Sequence, residues 1–388
     1  MRILISTGEV SGDLQGAMLI TSLYKQASLL GLNLEIYGLG GQRMSQAGAK
    51  ILADTTIISS IGLWEAIPFI LPTFRSQNIL KKYIKDYPPD LVILIDYVGP
   101  NLVIGSYINQ YYPEIPIFYY IAPQSWIWDP RPQDTKRLVS LTDHMLAIFP
   151  KEAQFFQEQG LSVSWVGHPL LDRIQSAPSR ESARESLEIK ENEIVVSIFP
   201  ASRKQELKYL LPVISQACTL LQKQSTNIRF FFALSLPRYR EKIESEITKY
   251  GLNAIAFQGD TLQLMAASDL AIAKSGTVNL ELALLNIPQV VVYRLSPLTM
   301  LIARKILKFS VSYLAPSNIV LNREISPELI QENATAERIF QESLELIFNP
   351  ERRQSTFDGY QEMRKELGDI GVCDRSAQEI FARLQKIY

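Results

Sequence analysis

The sequence predicts an α/β protein with two doubly wound domains, each built on a parallel β-sheet. Short runs of β-branched and aromatic residues alternate with longer helix-like stretches through most of the chain. Two runs, LVILI at 91–95 and IVVSIF at 194–199, are apolar without alternation, which is typical of strands buried on both faces. Strands separated by helical segments favour right-handed βαβ units. The series of runs starts again at Ile194, which indicates a second domain.

The predicted strands follow one another at regular spacing in both halves of the chain. In the first half they are Arg2–Ser6, Leu34–Tyr37, Leu91–Ile95, Ile117–Ile121, Met145–Phe149 and Val163–Val166. In the second half they are Ile194–Phe199, Arg229–Ala233, Ala254–Phe257, Leu270–Ala273 and Gln289–Tyr293. Residues 172–193 are polar and charged, which predicts a linker that leads into a helix. We therefore expect domains at 1–170 and 171–348. A helical segment at 349–388 is expected to pack back on a domain or to be exchanged in a dimer.

Length, charge and cysteine usage exclude several classes of protein. At 388 residues the chain exceeds one ordinary domain of roughly 100–200 residues. Its 39 basic residues balance 40 acidic ones, so we expect no nucleic-acid partner. Two cysteines without a CxxC pair predict reduced thiols of a cytosolic protein. Two histidines far apart in sequence do not favour a structural zinc site.

Two apolar segments are candidates for contact with a membrane surface. The stretch 57–72 contains Glu65 and Pro68 and is shorter than the ~20 apolar residues that a membrane span requires. The stretch 298–309 (LTMLIARKILKF) combines apolar and basic residues, as interfacial segments do. The alternative is that both are core helices. The side chains expected to contact the membrane are Trp64, Ile67, Phe69, Ile70 and Leu71.

The glycine-rich loop after the first strand (STGEVSGD, 6–13) is the first candidate for ligand binding. Ligands of α/β proteins bind at the carboxyl ends of the strands. Glu9 would repel a pyrophosphate, whereas its carboxylate and the Ser11 hydroxyl suit the hydroxyl groups of a sugar. The alternative is a plain turn with Asp13 near a helix start. A second glycine-rich loop, 38–43 (GLGGQR), has Arg43 where a dinucleotide-binding fingerprint has its third glycine, so a dinucleotide site is not expected.

Asp96 ends the apolar run LVILID and precedes a Gly-Pro break. A carboxylate at the end of a buried strand can face a cleft and act as a general base. Partial desolvation would raise its pKa into a useful range. The alternative is that Asp96 caps the next helix.

The second half carries a set of residues that suits a nucleoside diphosphate. Ser275, Gly276 and Thr277 follow a predicted strand and open a helix, whose N–H groups and dipole favour phosphate. Glu281, about one turn further along, can accept hydrogen bonds from ribose hydroxyls. Arg203, at the end of another strand, can neutralise phosphate. Taken singly, these residues also fit helix capping and a surface arginine.

The sequence predicts no metal ion and no cofactor. It has no Asp-x-Asp pair to hold a magnesium-bridged diphosphate, and no Walker loop, Gly-x-Ser-x-Gly turn or zinc-protease helix. Stabilisation of a leaving diphosphate therefore falls to Arg203, the helix dipole and Arg294.

As a set, the motifs resemble those of the lipid-A-disaccharide synthase family nearly end to end. The matching segments are 6–13 (STGEVSGD), 122–128 (APQSWIW), 166–170 (VGHPL), 200–203 (PASR), 275–277 (SGT) with Glu281, 293–294 (YR), and 316–320 (PSNIV) before 323–324 (RE). The resemblance implies an inverting glycosyltransferase with two Rossmann-like domains facing a central cleft, the B-type glycosyltransferase fold.

The resemblance also implies a reaction and roles for individual residues. The family transfers 2,3-diacylglucosamine from UDP to the 6-hydroxyl of 2,3-diacylglucosamine 1-phosphate, which gives a β-1,6 disaccharide and UDP. Asp96 matches the family's base. Arg203, the 275–277 turn, Glu281 and Asn318 match positions at the UDP-sugar end. The expected location is the cytoplasmic face of the inner membrane, and a homodimer is possible in this family.

The chain departs from the family pattern at two places. Ala201 replaces the glycine of the usual Pro-Gly-Ser-Arg, which adds a methyl group where phosphate approaches. After Asp96 the usual Pro-Asp-Phe is replaced by 97–100 (YVGP), a change that affects what can be inferred about acceptor recognition and acyl-chain preference. Two other functions fit the same residues: a non-hydrolysing UDP-sugar epimerase, and a catalytically silent sugar-nucleotide-binding protein or membrane scaffold.

Overall fold

The computed structural model describes residues 1–56, 63–201, 203–296, 299–300 and 311–387, and only the backbone of residues 63–68, 204 and 387. The chain divides into two compact units. Unit 1 comprises Met1–Asp172 and the C-terminal segment from Leu367. Unit 2 lies between Arg173 and Glu366. The chain thus crosses from one unit to the other after Asp172 and returns after Glu366.

Unit 1 is built on a seven-stranded sheet in the order β3-β2-β1-β4-β5-β6-β7, and neighbouring strands are parallel. The strands are β1 (Arg2–Ser6), β2 (Glu35–Gly40), β3 (Lys50–Asp54), β4 (Leu91–Ile95), β5 (Ile117–Tyr120), β6 (His144–Ala147) and β7 (Val163–Trp165). The helices are α1 (Val10–Leu29), α2 (Gln42–Gln46), α3 (Leu63–Asp86), α4 (Val98–Tyr111), α5 (Pro132–Leu141), α6 (Pro150–Glu158) and α7 (Leu170–Arg173).

Unit 2 contains a six-stranded parallel sheet in the order β10-β9-β8-β11-β12-β13. Its strands are β8 (Ile194–Phe199), β9 (Ile228–Ala233), β10 (Ala254–Phe257), β11 (Leu270–Lys274), β12 (Gln289–Tyr293) and β13 (Glu328–Ile330). Its helices are α8 (Arg180–Ser186), α9 (Lys204–Gln224), α10 (Arg240–Tyr250), α11 (Thr261–Ala267), α12 (Val278–Leu284), α13 (Pro316–Leu321), α14 (Ala336–Phe348) and α15 (Pro350–Glu366).

Both faces of the unit 2 sheet are covered by apolar cores. Side chains alternate between the two faces of a strand. Along β8, Val196 and Ile198 belong to one buried cluster, and Val195 and Phe199 belong to another. A strand buried on both faces carries few polar residues, and IVVSIF shows this pattern with one exception, the fully buried Ser197. The predicted fold class, two doubly wound α/β domains with parallel sheets, is confirmed.

Two strands were not predicted from the sequence. β3 and β13 are the outermost strands on one side of their sheets. β3 is only partly buried, and β13 is three residues long. β3 (KILAD) has a charged residue at each end and β13 (ELI) is too short for a pattern, so neither shows the continuous apolar run that marks the central strands.

The C-terminal helix, α16 (Val372–Ile387), packs against α1 in unit 1. The Asp374 carboxylate accepts a hydrogen bond from the Ser22 hydroxyl at 2.8 Å. The Asp172 carboxylate accepts the backbone N–H groups of Gly371, Val372 and Cys373 at the start of this helix. Asp172 is the last residue before the chain leaves unit 1, and it thereby caps α16, the helix that forms after the chain has returned to unit 1. Among the described residues, no helix has the length and apolar character required to span a bilayer.

Candidate active site

The residues singled out in the first half lie at the carboxyl edge of the unit 1 sheet. In the strand order, β1 has β2 on one side and β4 on the other, so the order reverses between β1 and β4. Doubly wound sheets bind ligands outside the carboxyl ends of strands at such a switch point. Glu9 and Ser11 follow β1, and Asp96 follows β4.

Glu9 is the N-cap residue of α1, which begins at Val10. Ser11 therefore lies in the first helical turn, and both side chains are partly exposed. Gly8 has no room for a side chain, because a Cβ there would lie 2.1 Å from ring carbons of Tyr97. The aromatic ring that follows Asp96 thus rests on the loop that carries Glu9.

Asp96 and Tyr97 both have left-handed backbone conformations, with φ of 45° and 49°. Few non-glycine residues adopt this region, and such conformations cluster at functional sites. Tyr97 occupies the N-cap position of α4, so the strand-to-helix turn begins one residue after Asp96. Asp96 itself is partly buried.

Two buried side chains hold the Asp96 backbone. Its carbonyl oxygen accepts a hydrogen bond from the Tyr119 hydroxyl at 2.6 Å and another from the Asn101 amide at 2.8 Å. The Asn101 side chain is fully buried, and its oxygen accepts a hydrogen bond from the Ser6 hydroxyl at the end of β1. Neither Asn101 nor Tyr119 was predicted as a site residue. Asn101 follows Asp96 by only five residues, but its contacts depend on the fold.

In unit 2, two cations converge on one buried carboxylate. Arg203, the N-cap residue of α9, has Nη1 at 3.2 Å from Glu206 Oε1. Lys274, the last residue of β11, has Nζ at 3.0 Å from the same oxygen. The side chains of Arg203 and Lys274 are 13% and 15% exposed. Two positive charges against one carboxylate at the carboxyl ends of β8 and β11 favour the binding of an anion. Lys274 and Glu206 were not predicted as site residues.

The turn 275–277 lies beside this cluster, between β11 and α12. The Ser275 hydroxyl donates to the Leu314 carbonyl at 2.8 Å. The Gly276 N–H donates to Asn279 Oδ1 at 2.7 Å, so this backbone group is already satisfied within the turn. Thr277 is the N-cap residue of α12 and is partly exposed. The predicted helix start is therefore present, and the first helical residue is Val278, directly after Thr277.

Glu281 lies on α12 and is paired with a cation. Its Oε1 is 2.6 Å from Arg173 Nε, and both side chains are nearly buried. The Arg173 guanidinium also donates to the Thr261 hydroxyl at 3.0 Å. This ion pair links the residue just after the chain crossing to the helix that follows the 275–277 turn.

The two remaining candidates of unit 2 lie further along the chain. Arg294 directly follows β12, and its Nε donates to the Gln331 carbonyl at 3.2 Å. Asn318 on α13 is fully buried, and its amide bonds the backbone of Ile325 and Ser326 and the Glu328 carboxylate. Asn318 thus organises the segment between α13 and β13.

The candidate membrane residues lie on α3. Ile70 and Leu71 are 46% and 68% exposed, whereas Phe69 is half-buried. Phe74, one turn after Ile70, is 56% exposed. The side chains of Trp64 and Ile67, and the segment from residue 301 to Phe309, lie outside the described residues.

The part of the chain that the structure describes contains no group of three or more His, Cys, Asp or Glu side chains placed to hold a metal ion. The positive charges of Arg203 and Lys274 lie at the carboxyl edge of the unit 2 sheet, where they can meet an anionic group.

Comparison with solved structures shows the fold. A putative UDP-N-acetylglucosamine 2-epimerase from Listeria monocytogenes has a TM-score of 0.67 and 14% sequence identity, covering 99% of this chain and 97% of that one. The UDP-N-acetylglucosamine 2-epimerase from Neisseria meningitidis, solved with UDP-N-acetylglucosamine, has a TM-score of 0.60 and 15% identity, with full coverage of both chains. At such identities the likeness extends to the fold alone and does not favour the epimerase alternative.

Comparison of sequences shows the family. A lipid-A-disaccharide synthase from Gloeothece citriformis is 57% identical over 98% of this chain and 99% of its own length. One from a Synechocystis species is 54% identical over 98% of this chain and 97% of its own length. The family model described as lipid-A-disaccharide synthetase matches residues 3–382. The chain therefore belongs to the lipid-A-disaccharide synthase family of glycosyltransferases.

Proposed function

We propose that this glycosyltransferase moves 2,3-diacylglucosamine from UDP to the 6-hydroxyl of 2,3-diacylglucosamine 1-phosphate, giving a β-1,6 disaccharide and UDP. The family match over nearly the whole chain supports this reaction. The single structural observation that carries the proposal is Asp96, a carboxylate in a strained turn at the switch point of the unit 1 sheet.

The donor is assigned to unit 2. The diphosphate of the UDP-sugar would meet Arg203 and Lys274, whose cationic groups lie close together on the Glu206 carboxylate. The Ser275–Thr277 turn and Arg294 lie at the carboxyl ends of the neighbouring strands β11 and β12 and would complete the phosphate contacts. Side-chain cations thus neutralise the charge that develops on the leaving diphosphate.

Two further side chains of unit 2 are proposed to bind the nucleoside or the sugar. Glu281, on the helix that follows the 275–277 turn, would accept hydrogen bonds from the ribose hydroxyls. Asn318 is buried in bonds to its own segment, so its proposed contribution is to fix the backbone around α13 at the sugar end.

The acceptor is assigned to unit 1. Asp96 removes the proton of the 6-hydroxyl as that oxygen forms a bond to the anomeric carbon of the donor. The bond from the anomeric carbon to the diphosphate oxygen breaks at the same time, and UDP leaves with the electron pair. Attack from the face opposite UDP inverts the configuration. Glu9 and Ser11, on the neighbouring strand end, would accept and donate hydrogen bonds to acceptor hydroxyls.

We further propose that the lipid substrates are met at a membrane surface by the exposed apolar side chains of α3. Ile70, Leu71 and Phe74 lie on one stretch of this helix, which supports the proposal. Work at the cytoplasmic face of the inner membrane and a homodimer belong to the same proposal. Sedimentation of the purified chain would test the dimer.

The reaction is tested by mixing the protein with UDP-diacylglucosamine and the monosaccharide lipid, and analysing products by mass spectrometry. The expected result is a disaccharide and UDP in equal amounts. A donor incubated alone is followed by NMR of its anomeric proton. An epimer formed from donor alone would favour the epimerase, and bound UDP-sugar without any product would favour a silent binding protein.

A further inference from the structure

A buried glutamate ties together two loops next to Asp96. Glu152 lies in the first turn of α6 and is 1% exposed. Its Oε2 accepts the backbone N–H groups of Ile148 and Phe149, at 2.6 and 3.1 Å. These two bonds are ordinary capping of the helix start. Its Oε1 accepts the N–H of Ala122 at 3.0 Å, and Ala122 belongs to the loop after β5. This third bond does not serve α6.

The residue before Ala122 has a costly conformation. Ile121 has a φ of 62°, in the left-handed region that β-branched residues avoid. Such a conformation costs on the order of 1–3 kcal/mol and persists only where neighbouring groups enforce it. The Glu152 bond to the Ala122 N–H fixes one end of this strained turn. The Ile121 N–H donates to the Leu146 carbonyl at 3.4 Å, which is a long and weak bond.

The strained turn is in direct contact with Asp96. The Ile121 carbonyl accepts the Asp96 N–H at 3.0 Å. Asp96 itself has a left-handed backbone, so its carboxylate direction depends on how its peptide groups are held. Tyr119 and Asn101 hold its carbonyl, and Ile121 holds its N–H. The Glu152 carboxylate is thus two hydrogen bonds from the Asp96 backbone, through Ala122 and Ile121.

We propose that Glu152 is a positioning residue, which holds the Ile121–Ala122 turn in its strained form and thereby orients Asp96. The proposal rests on the function proposed above, in which Asp96 is the base. Glu152 does not touch substrate in this scheme. It acts through the backbone of the neighbouring strand end.

The electrostatics agree with this geometry. Burial raises the pKa of Glu152 to about 7, although its three N–H partners oppose the rise, and the negative charge of Asp96 adds to it. The two carboxylates therefore interact. A buried carboxylate near a second carboxylate is a costly arrangement, which is consistent with a role in the site.

Glu152→Gln is the selective variant. The amide keeps the side-chain volume, and its oxygen is expected to stay with the two N–H groups of Ile148 and Phe149. Its NH2 group then faces the Ala122 N–H, donor against donor, so this bond is lost while the helix cap remains. We expect kcat to fall on the order of 10²-fold, as displacement of a catalytic group by about 1 Å does. KM for the donor and the affinity for UDP should stay unchanged.

Hydrogen exchange provides a readout that does not depend on activity. In Glu152→Gln the Asp96 amide should exchange faster, because its acceptor Ile121 is no longer held. Adding Ile121→Gly should recover much of the lost kcat, since glycine adopts the left-handed turn without strain. The matched control is Asp143→Ala, which removes the carboxylate bonded to the Ile117 N–H at 2.7 Å, at the amino end of the same strand. It should lower stability and leave kcat within about twofold.

Three outcomes would overturn the proposal: wild-type kcat in Glu152→Gln, unchanged exchange of the Asp96 amide, or an equal loss of kcat in Asp143→Ala. Failure of the proposed function has a different signature. If Asp96→Asn keeps full transfer activity, Asp96 is not the base, whatever the exchange measurement shows for Glu152.

Discussion

Arg173 Nε lies 2.6 Å from Glu281 Oε1, and the two side chains are 11% and 8% exposed. The pair connects the first residue of unit 2 to α12, the helix behind the 275–277 turn. A charge buried to this degree is stabilised by its partner, and removing one partner leaves the other unpaired in a poorly solvated place. The pair therefore has a structural role in addition to the ribose contact proposed for Glu281.

Arg173→Met should destabilise unit 2 by about 3–5 kcal/mol, because the Glu281 carboxylate would remain buried without its guanidinium. Urea denaturation, monitored through hydrogen exchange of the backbone amides in β8 and β11, measures this change. Arg173→Met combined with Glu281→Leu should recover most of the loss, since neither charge is then buried. Equal losses in the single and double variants would contradict the assigned coupling.

Asp96→Asn should abolish transfer while UDP affinity stays near that of the wild type, because the proposed mechanism has Asp96 act on the acceptor and UDP bind to unit 2. The complementary variant, Lys274→Ala, should weaken UDP about tenfold or more, as the loss of a charge-assisted hydrogen bond does. Calorimetric titration with UDP and a product assay separate the two effects. Lys249→Ala, at an exposed lysine of α10, is the control for charge alone and should change neither. Parallel loss of UDP affinity and transfer in Asp96→Asn would contradict the division of roles.

Gly8→Ala should disturb the turn that carries Asp96, because the added methyl group would lie 2.1 Å from the Tyr97 ring. Overpacking of this kind costs about 1–3 kcal/mol. Gly99→Ala, three residues after Asp96, is the matched control. A Cβ at Gly99 meets nothing within 4 Å, and alanine favours the first turn of α4. The midpoint temperature of thermal unfolding and kcat should both fall in Gly8→Ala, and neither should fall in Gly99→Ala. Equal behaviour of the two variants would show that Tyr97 moves aside freely.

Replacement of Ile70, Leu71 and Phe74 by serine should reduce binding to vesicles of phosphatidylethanolamine and phosphatidylglycerol. These side chains are 46%, 68% and 56% exposed, and each buried CH2 contributes roughly 0.8 kcal/mol. Co-sedimentation with vesicles measures the effect. Leu29→Ser is the control, because Leu29 is 74% exposed at the end of α1, away from this patch in sequence. A loss of binding that is equal in the control would contradict a specific role of α3.

The sequence predicted those parts of the fold that repeat a local pattern. Central strands such as β4 and β8 are apolar at all positions but Ser197 because both faces are buried, so they stand out in the chain. The edge strands β3 and β13 have no such pattern and were missed. The strand-end position of Asp96 followed from the same logic.

Residues that support the site through distant contacts were not predictable in this way. Glu152 is 56 positions from Asp96 along the chain and accepts a hydrogen bond from the Ala122 N–H of a third segment. Its sequence context, Pro-Lys-Glu at a helix start, indicates only a cap. Lys274 directly precedes Ser275 in the chain, and its bond to Glu206 depends on the pairing of β8 with β11. Such contacts become visible only when the strand order is known.

The pH dependence of stability gives a further test of unit 1. His168 is 2% exposed, and its Nδ1 accepts the Leu170 N–H at 3.2 Å. Burial lowers its pKa to about 3, from an ordinary value of 6.5. The unfolded chain therefore binds a proton below pH 6.5 that the folded chain does not bind. The contribution of neutral His168 to the free energy of unfolding is complete above pH 6.5 and is lost as the pH drops from 6.5 towards 3.

Between pH 7.5 and pH 5.5, His168 alone should lower the free energy of unfolding by about 1.4 kcal/mol. His168→Asn keeps an acceptor for the Leu170 N–H and does not titrate. Over this interval its free energy of unfolding should therefore fall by about 1.4 kcal/mol less than that of the wild type. His144, whose pKa burial lowers to about 4, titrates in both proteins and cancels in the comparison. Urea denaturation at the two pH values measures the difference. An identical pH dependence in the two proteins would mean that His168 is protonated in the folded chain, and that the packing around it is looser than its 2% exposure indicates.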